Sequence, residues 1–139
     1  MTPRGYRFLP HTADIRLEVR GKDLPELFAA CVPALFSLLT DRRRVRPVET
    51  RTLKATGRNI EDRLFLLLRE ALLLFTADGF VVRNARGRME RTGVHVEVSG
   101  EPFDGSRHPS FREVKAVTAH GLAVERIPGG FTARFIVDV

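Results

Sequence analysis

The sequence predicts an α+β fold, a mainly antiparallel β-sheet with two α-helices packed against it. Two stretches carry apolar residues at helical spacing, Leu24 to Leu39 and Leu64 to Phe75. Most of the rest falls into short segments of alternating apolar and polar residues, punctuated by glycine. Strands and helices do not alternate regularly, and no glycine-rich phosphate loop opens a helix. A parallel nucleotide-binding sheet is therefore not supported. With 139 residues, 43% of them hydrophobic, the chain suits one domain over residues 1–139 with a single core.

The elements follow in order. Ile15 to Arg20 alternates strictly, with Ile15, Leu17 and Val19 on one face, as in a half-buried strand ended by Gly21. Asp23 then reads as a helix N-cap with Glu26 three residues on. The helix it opens contains Pro33, which removes a backbone hydrogen bond and is expected to kink or split it. Val45 to Thr56 reads as a strand, and Pro47 confines it to a sheet edge. Asn59 caps the second helix, with Glu61 and Asp62 in the first turn where the helix dipole favours negative charge. That helix is apolar on nearly every face, so it is expected at the centre of the core.

Asp78-Gly79 turns the chain into a hairpin of Phe80 to Arg91 and Val94 to Gly100. Glu101 to Glu113 contains Pro102, Gly105 and Pro109 and reads as a long exposed loop. Strands are expected over Val114 to His120, Leu122 to Ile127 and Phe131 to Val139. In the last, Phe131, Ala133, Phe135 and Val137 share one face, and Asp138 lies on the other with Arg134 and Ile136.

Composition narrows the function. The chain has 23 basic and 17 acidic residues, a net charge of +6. Nearly all the basic residues are arginine; the only lysines are Lys22, Lys54 and Lys115. This balance suits contact with RNA or with an acidic protein surface. The densest run, Arg42 to Arg44 with Arg46, has no interleaved aromatic and does not resemble a base-stacking surface. Cys31 is the only cysteine, so no internal disulfide is possible, and its apolar helical setting reads as a small buried hydrophobe. A cytoplasmic location and no membrane contact are expected. The N-terminus lacks an apolar signal region, and the most apolar stretch is shorter than a span and interrupted by Arg69-Glu70.

The residues that could carry chemistry are His11, Asp14, Lys115, His120, Asp138 and the carboxylate of Val139. Asp138 and the chain-terminal carboxylate follow an alternating strand directly. Lys115 is one of three lysines, in a segment otherwise small and apolar, where a buried lysine would need a carboxylate partner. If Asp14, Asp138 and the terminus converge, their mutual repulsion calls for a cation, a lysine or a proton. All-oxygen ligation favours calcium, magnesium or manganese over zinc. No Cys/His spacing for structural zinc and no Ser-His-Asp or Cys-His arrangement is legible. Nothing positively marks an enzyme.

Four segments together resemble the archease family of small RNA-ligation accessory proteins. They are Phe8-Leu9-Pro10-His11-Thr12-Ala13-Asp14-Ile15, the leucine-rich Asp62 to Phe75, Val114-Lys115-Ala116-Val117-Thr118-Ala119-His120, and the ending Asp138-Val139. The resemblance implies a non-enzymatic activator of the GTP-dependent tRNA-splicing RNA ligase, which joins 3′-phosphate or 2′,3′-cyclic-phosphate ends to 5′-hydroxyl ends. It implies promotion of ligase guanylylation and repeated turnover, with tRNA engaged indirectly. By the same resemblance Asp14, Asp138 and the Val139 carboxylate bind a divalent metal, calcium first, with magnesium or manganese as alternatives. Lys115, His11 and His120 are its further functional residues. The chain departs from the family at Ala119, where tyrosine is usual, at His108-Pro109, where His-Glu is usual, and at Arg69, where asparagine is common. An alternative is a chaperone-like modulator of a tRNA-modifying enzyme such as a methyltransferase. A plain basic RNA-binding module is a third.

Overall fold

The structure is a computed structural model that describes residues 13–139. It is α+β, with two three-stranded antiparallel sheets and two long helices. The strands are β1 (Asp14–Gly21), β2 (Glu49–Thr56), β3 (Phe80–Met89), β4 (Gly93–Pro102), β5 (Ala116–Ile127) and β6 (Gly130–Asp138). The helices are α1 (Leu24–Leu39) and α2 (Ile60–Thr76). The strand orders are β1-β6-β5 and β2-β4-β3. Where the sequence suggests one sheet, the strands divide between two.

Both helix starts form as their caps dictate. The Asp23 side chain accepts from the Glu26 N–H at 2.9 Å, and Asn59 accepts from the Asp62 N–H at 2.8 Å. Helix α1 is not split at Pro33; it runs unbroken from Leu24 to Leu39. Its buried stripe, including Phe28, Val32, Leu35 and Phe36, continues on both sides of the proline and holds the two halves in one core.

Each helix packs against both sheets. Helix α1 lies mainly on β3 and β1, and α2 on β5 and β2. These are the four edge strands, so each helix bridges one edge strand of one sheet to one of the other. The close approach of α1 to β3 depends on Gly87, where a Cβ would stand 2.8 Å from the Pro25 carbonyl oxygen. One hydrophobic cluster results, with residues from both helices and all three strands of each sheet. Helix α2 buries Leu64, Leu67, Leu68 and Leu72 but leaves Leu73 48% exposed, so it is not enclosed on every side.

Two segments expected as separate strands, Val114 to His120 and Leu122 to Ile127, form the single strand β5. Its register against β6 shifts between Thr118 and Ala123, where four residues oppose one. Gly121 takes φ +72° there, and a Cβ on it would press against Ile136. The 101–113 segment also departs from expectation. Glu101 belongs to β4 and is buried, and the loop is fastened down. Thr40 Oγ1 donates to the Pro109 carbonyl at 2.6 Å, and the Phe111 N–H to the Leu39 carbonyl at 3.0 Å. Among the described residues no helix is long and apolar enough to cross a membrane.

Candidate functional site

Asp14 and Asp138 are direct partners across the β1–β6 ladder. The Val139 N–H donates to the Ala13 carbonyl at 3.1 Å, which makes 13 and 139 a hydrogen-bonded pair. In an antiparallel ladder the next pair, Asp14 and Asp138, is then non-hydrogen-bonded. Cα atoms there approach to about 4.5 Å and side chains are closest. Both carboxylates stand on the outer face, Asp14 exposed and Asp138 half-buried. No ion pair is recorded for either among the described residues. Val139 follows at once, its half-buried side chain packed against the core.

Strand β5 brings Lys115 to the same end of the sheet. The Lys115 N–H donates to the Asp138 carbonyl at 2.8 Å, just before Ala116 pairs with Asp138. The Lys115 side chain lines a groove of about 250 Å³ with Phe65, Arg69 and Leu73 of α2. The lysine is exposed and has no ion pair among the described residues, so the carboxylate partner expected for a buried lysine is not needed. It stands one residue before β5 begins, so its side chain keeps its water.

His120 sits on the bulge of β5, exposed, with its N–H donating to Thr118 Oγ1 at 3.1 Å. It lines a depression of about 300 Å³ with Arg16, Glu18 and Arg134 over Ile136. The Arg16–Ile136–Thr118 row separates it from the aspartates, and rows of one face are roughly 7 Å apart. His11 lies outside the described residues.

Thus Asp14, Asp138, Val139 and Lys115 share one end of the β1-β6-β5 sheet, with His120 further along it. Two facing carboxylates fit a hard divalent cation better than zinc, and a cation between them would cancel their repulsion. The side chains alone supply two ligands. No group of three or more His, Cys, Asp or Glu able to hold a metal forms among the described residues.

A separate polar cluster was not legible in advance. Glu101, only 4% exposed, accepts from Arg107 at 2.7 and 3.1 Å and from the Arg46 N–H at 2.7 Å. His108 is buried beside it, Nε2 3.0 Å from the Glu101 carboxylate, while Nδ1 accepts from the Asp104 N–H at 2.9 Å. Since Nδ1 accepts, Nε2 is the protonated nitrogen and donates to the carboxylate. The Arg107 guanidinium first, then the Arg46 N–H and His108, hold the Glu101 carboxyl down at about 2. This cluster fastens the 103–113 loop over the end of β4. Its only sequence signal is Glu101, Arg107 and His108 within a segment otherwise made of turn formers. Burial pushes the Cys31 thiol up to about 12, in keeping with a core role.

The pattern of the Archease protein family (MTH1598/TM1083) matches residues 6–139. The chain belongs to the archease family. It is 33% identical over 141 residues to the protein archease of Thermococcus gammatolerans, covering 98% of this chain and 99% of that one. A vertebrate relative, the protein archease of Ictalurus punctatus, is 32% identical over 123 residues, covering 86% of this chain and 76% of that one. The solution structure of Methanobacterium thermoautotrophicum protein 1598 superposes with a TM-score of 0.72 at 28% identity, covering 94% and 96% of the two chains. The archease fold described above is thus shared with a solved structure.

Proposed function

We propose that this chain is a non-enzymatic activator of the GTP-dependent RNA ligase of tRNA splicing and RNA repair. In this reading it promotes guanylylation of the ligase and its repeated turnover. The observation that carries the reading is the facing pair Asp14 and Asp138 at one sheet end beside Lys115. The sheet end offers acidic oxygens and one cation, which suits an accessory role at another protein's active site.

Asp14, Asp138 and the Val139 carboxylate are the proposed ligands of a divalent cation, calcium first, with magnesium or manganese as alternatives. Such an ion supplies concentrated positive charge for phosphoryl chemistry at the ligase. The chain's own contribution is positional. The β1–β6 ladder fixes both aspartates, and Lys115 presents a flexible ammonium beside them. The groove of Lys115, Phe65, Arg69 and the exposed Leu73 gives the ligase an apolar foothold next to this end.

The test is ligase guanylylation from GTP, followed by product formed per ligase over many turnovers, with Asp138→Ala and Asp14→Ala proteins. Both activities should fall to near the level of ligase alone. Unchanged stimulation would overturn the reading and favour a chaperone-like role that does not use these carboxylates.

A further inference from the structure

The outer face of the β2-β4-β3 sheet takes no part in the function proposed above. Ladder register sets its side chains in rows. Lys54, His95 and Arg88 form one row, and Thr52, Glu97 and Arg86 the next. Side chains in a row point the same way, and rows are roughly 7 Å apart. The alternate positions, such as Leu53, Val96 and Val98, are buried in the core, so this face is open to solvent. It holds three permanent cations, Lys54, Arg86 and Arg88, against the carboxylates of Glu97 and, just past the end of β3, Glu90.

Its charges are also less neutralised than those of the other sheet. On the outer face of β1-β6-β5, Arg20 pairs with Glu18 at 3.5 Å and Arg134 with Glu125 at 2.6 Å. On β2-β4-β3, Arg88 has Glu90 at 3.7 Å, but neither Lys54 nor Arg86 has a recorded ion pair among the described residues. A third row, Thr50, Ser99 and Asn84, is neutral and polar. A shallow depression of about 200 Å³ joins Asn84, Arg86, Glu97 and Ser99 across two of the rows.

We propose that this face holds the sugar-phosphate backbone of RNA. Cations spaced across an open sheet, with hydroxyl and amide groups between them, match phosphate and ribose oxygens. No phenylalanine or tyrosine stands on the face, and the one aromatic ring, His95, is half-buried with Nδ1 3.4 Å from Arg88, so bases are not stacked and binding is independent of sequence. An acidic protein is the poorer fit. Protein interface centres are enriched in phenylalanine, tyrosine, tryptophan, methionine and arginine, and of these the face carries only its arginines, beside a lysine, a glutamate and small polar residues. That the polyanion is RNA rather than DNA rests on the function proposed above. The binding itself does not, because it requires no ligase.

The experiment uses the full chain alone with a fluorescein-labelled tRNA transcript, read by anisotropy over a salt series. Three phosphate contacts predict a slope of log K against log salt of about −2 to −3. Arg86→Ala with Arg88→Ala should weaken binding ~10-fold near 50 mM salt and bring the slope to about −1. Glu97→Gln should tighten it. Arg43→Ala with Arg44→Ala, an equal charge change off this face, should leave affinity within about twofold. The proposal is overturned if the Arg86/Arg88 variant keeps wild-type affinity and slope, or if both double variants lose equally, which would mean net charge alone. It is likewise overturned if the variant binds RNA normally but no longer captures the ligase, or if a DNA duplex binds as tightly as the transcript. Thermal melts establish that each variant is folded. Should the Arg86/Arg88 variant fail to fold, Glu97→Gln decides: no gain in affinity overturns the proposal.

Discussion

Two aspartates at a non-hydrogen-bonded cross-strand position are a costly choice for a sheet. Like charges directly opposite destabilise an antiparallel pair, and this geometry brings side chains closest. The arrangement therefore has a signature that can be measured without any partner. In metal-free buffer, Asp14→Asn should stabilise the fold by on the order of 0.5 kcal/mol by relieving the repulsion. Adding calcium should raise the melting temperature of the wild-type protein and leave the Asn variant where it was, since only a species bound by the native state stabilises it. Thermal melts with chelator and with calcium check both. A calcium response of equal size in the variant would remove Asp14 from the ligand set. Much of this site was legible in the sequence. Asp14, Lys115 and Asp138 stand in short motifs whose order along the chain is distinctive. Their facing geometry was not legible, because register is a property of paired strands and the strands lie at opposite ends of the chain.

At the scale of elements, the 103–113 loop shows where sequence reading fails. Proline and glycine mark it as irregular, and irregular segments usually run exposed over the surface. Here Glu101, Arg107 and His108 turn inward and satisfy one another, and Phe103 packs edge-on against Phe75 and beside His108. A carboxylate next to an Arg and a His reads as ordinary surface charge until the fold buries it. The consequence is a pH dependence. The Glu101 carboxyl is depressed from its ordinary 4.5 to about 2. Its contribution is thus fully present above about pH 4.5 and is lost as pH falls toward about 2. Glu101→Gln should cost on the order of 2 kcal/mol at pH 7, the worth of charge-assisted bonds to a buried carboxylate. Denaturant titrations at pH 7 and near pH 2 should show the gap between wild type and variant closing in acid. A gap that stays constant would mean that the clasp does not titrate as described. The helices, by contrast, were readable almost to the residue, because Asp23 and Asn59 are caps whose partners lie three residues away.

For the whole molecule, periodicity showed strands and helices but not their division into two sheets. Nothing local says which strands pair, and the pairing of β1 with β6 spans nearly the entire described chain. What unites the two sheets is the pair of helices, each lying on an edge strand of both. This placement makes the fold one cooperative unit. Phe36 of α1 is fully buried, meets Phe75 of α2 edge-to-face at 6.4 Å between ring centres, and belongs to the cluster shared by both sheets. If the two sheets depend on one core, the slowest amides of their central strands, β6 and β4, should exchange through the same global opening. Phe36→Ala should then lower the opening free energy of both strands together, by about 3–5 kcal/mol for a large aromatic removed from a packed core. Native-state hydrogen exchange on wild type and variant measures this directly. A variant in which β4 loosens while β6 keeps its protection would show two sheets with separate cores, joined only by contact.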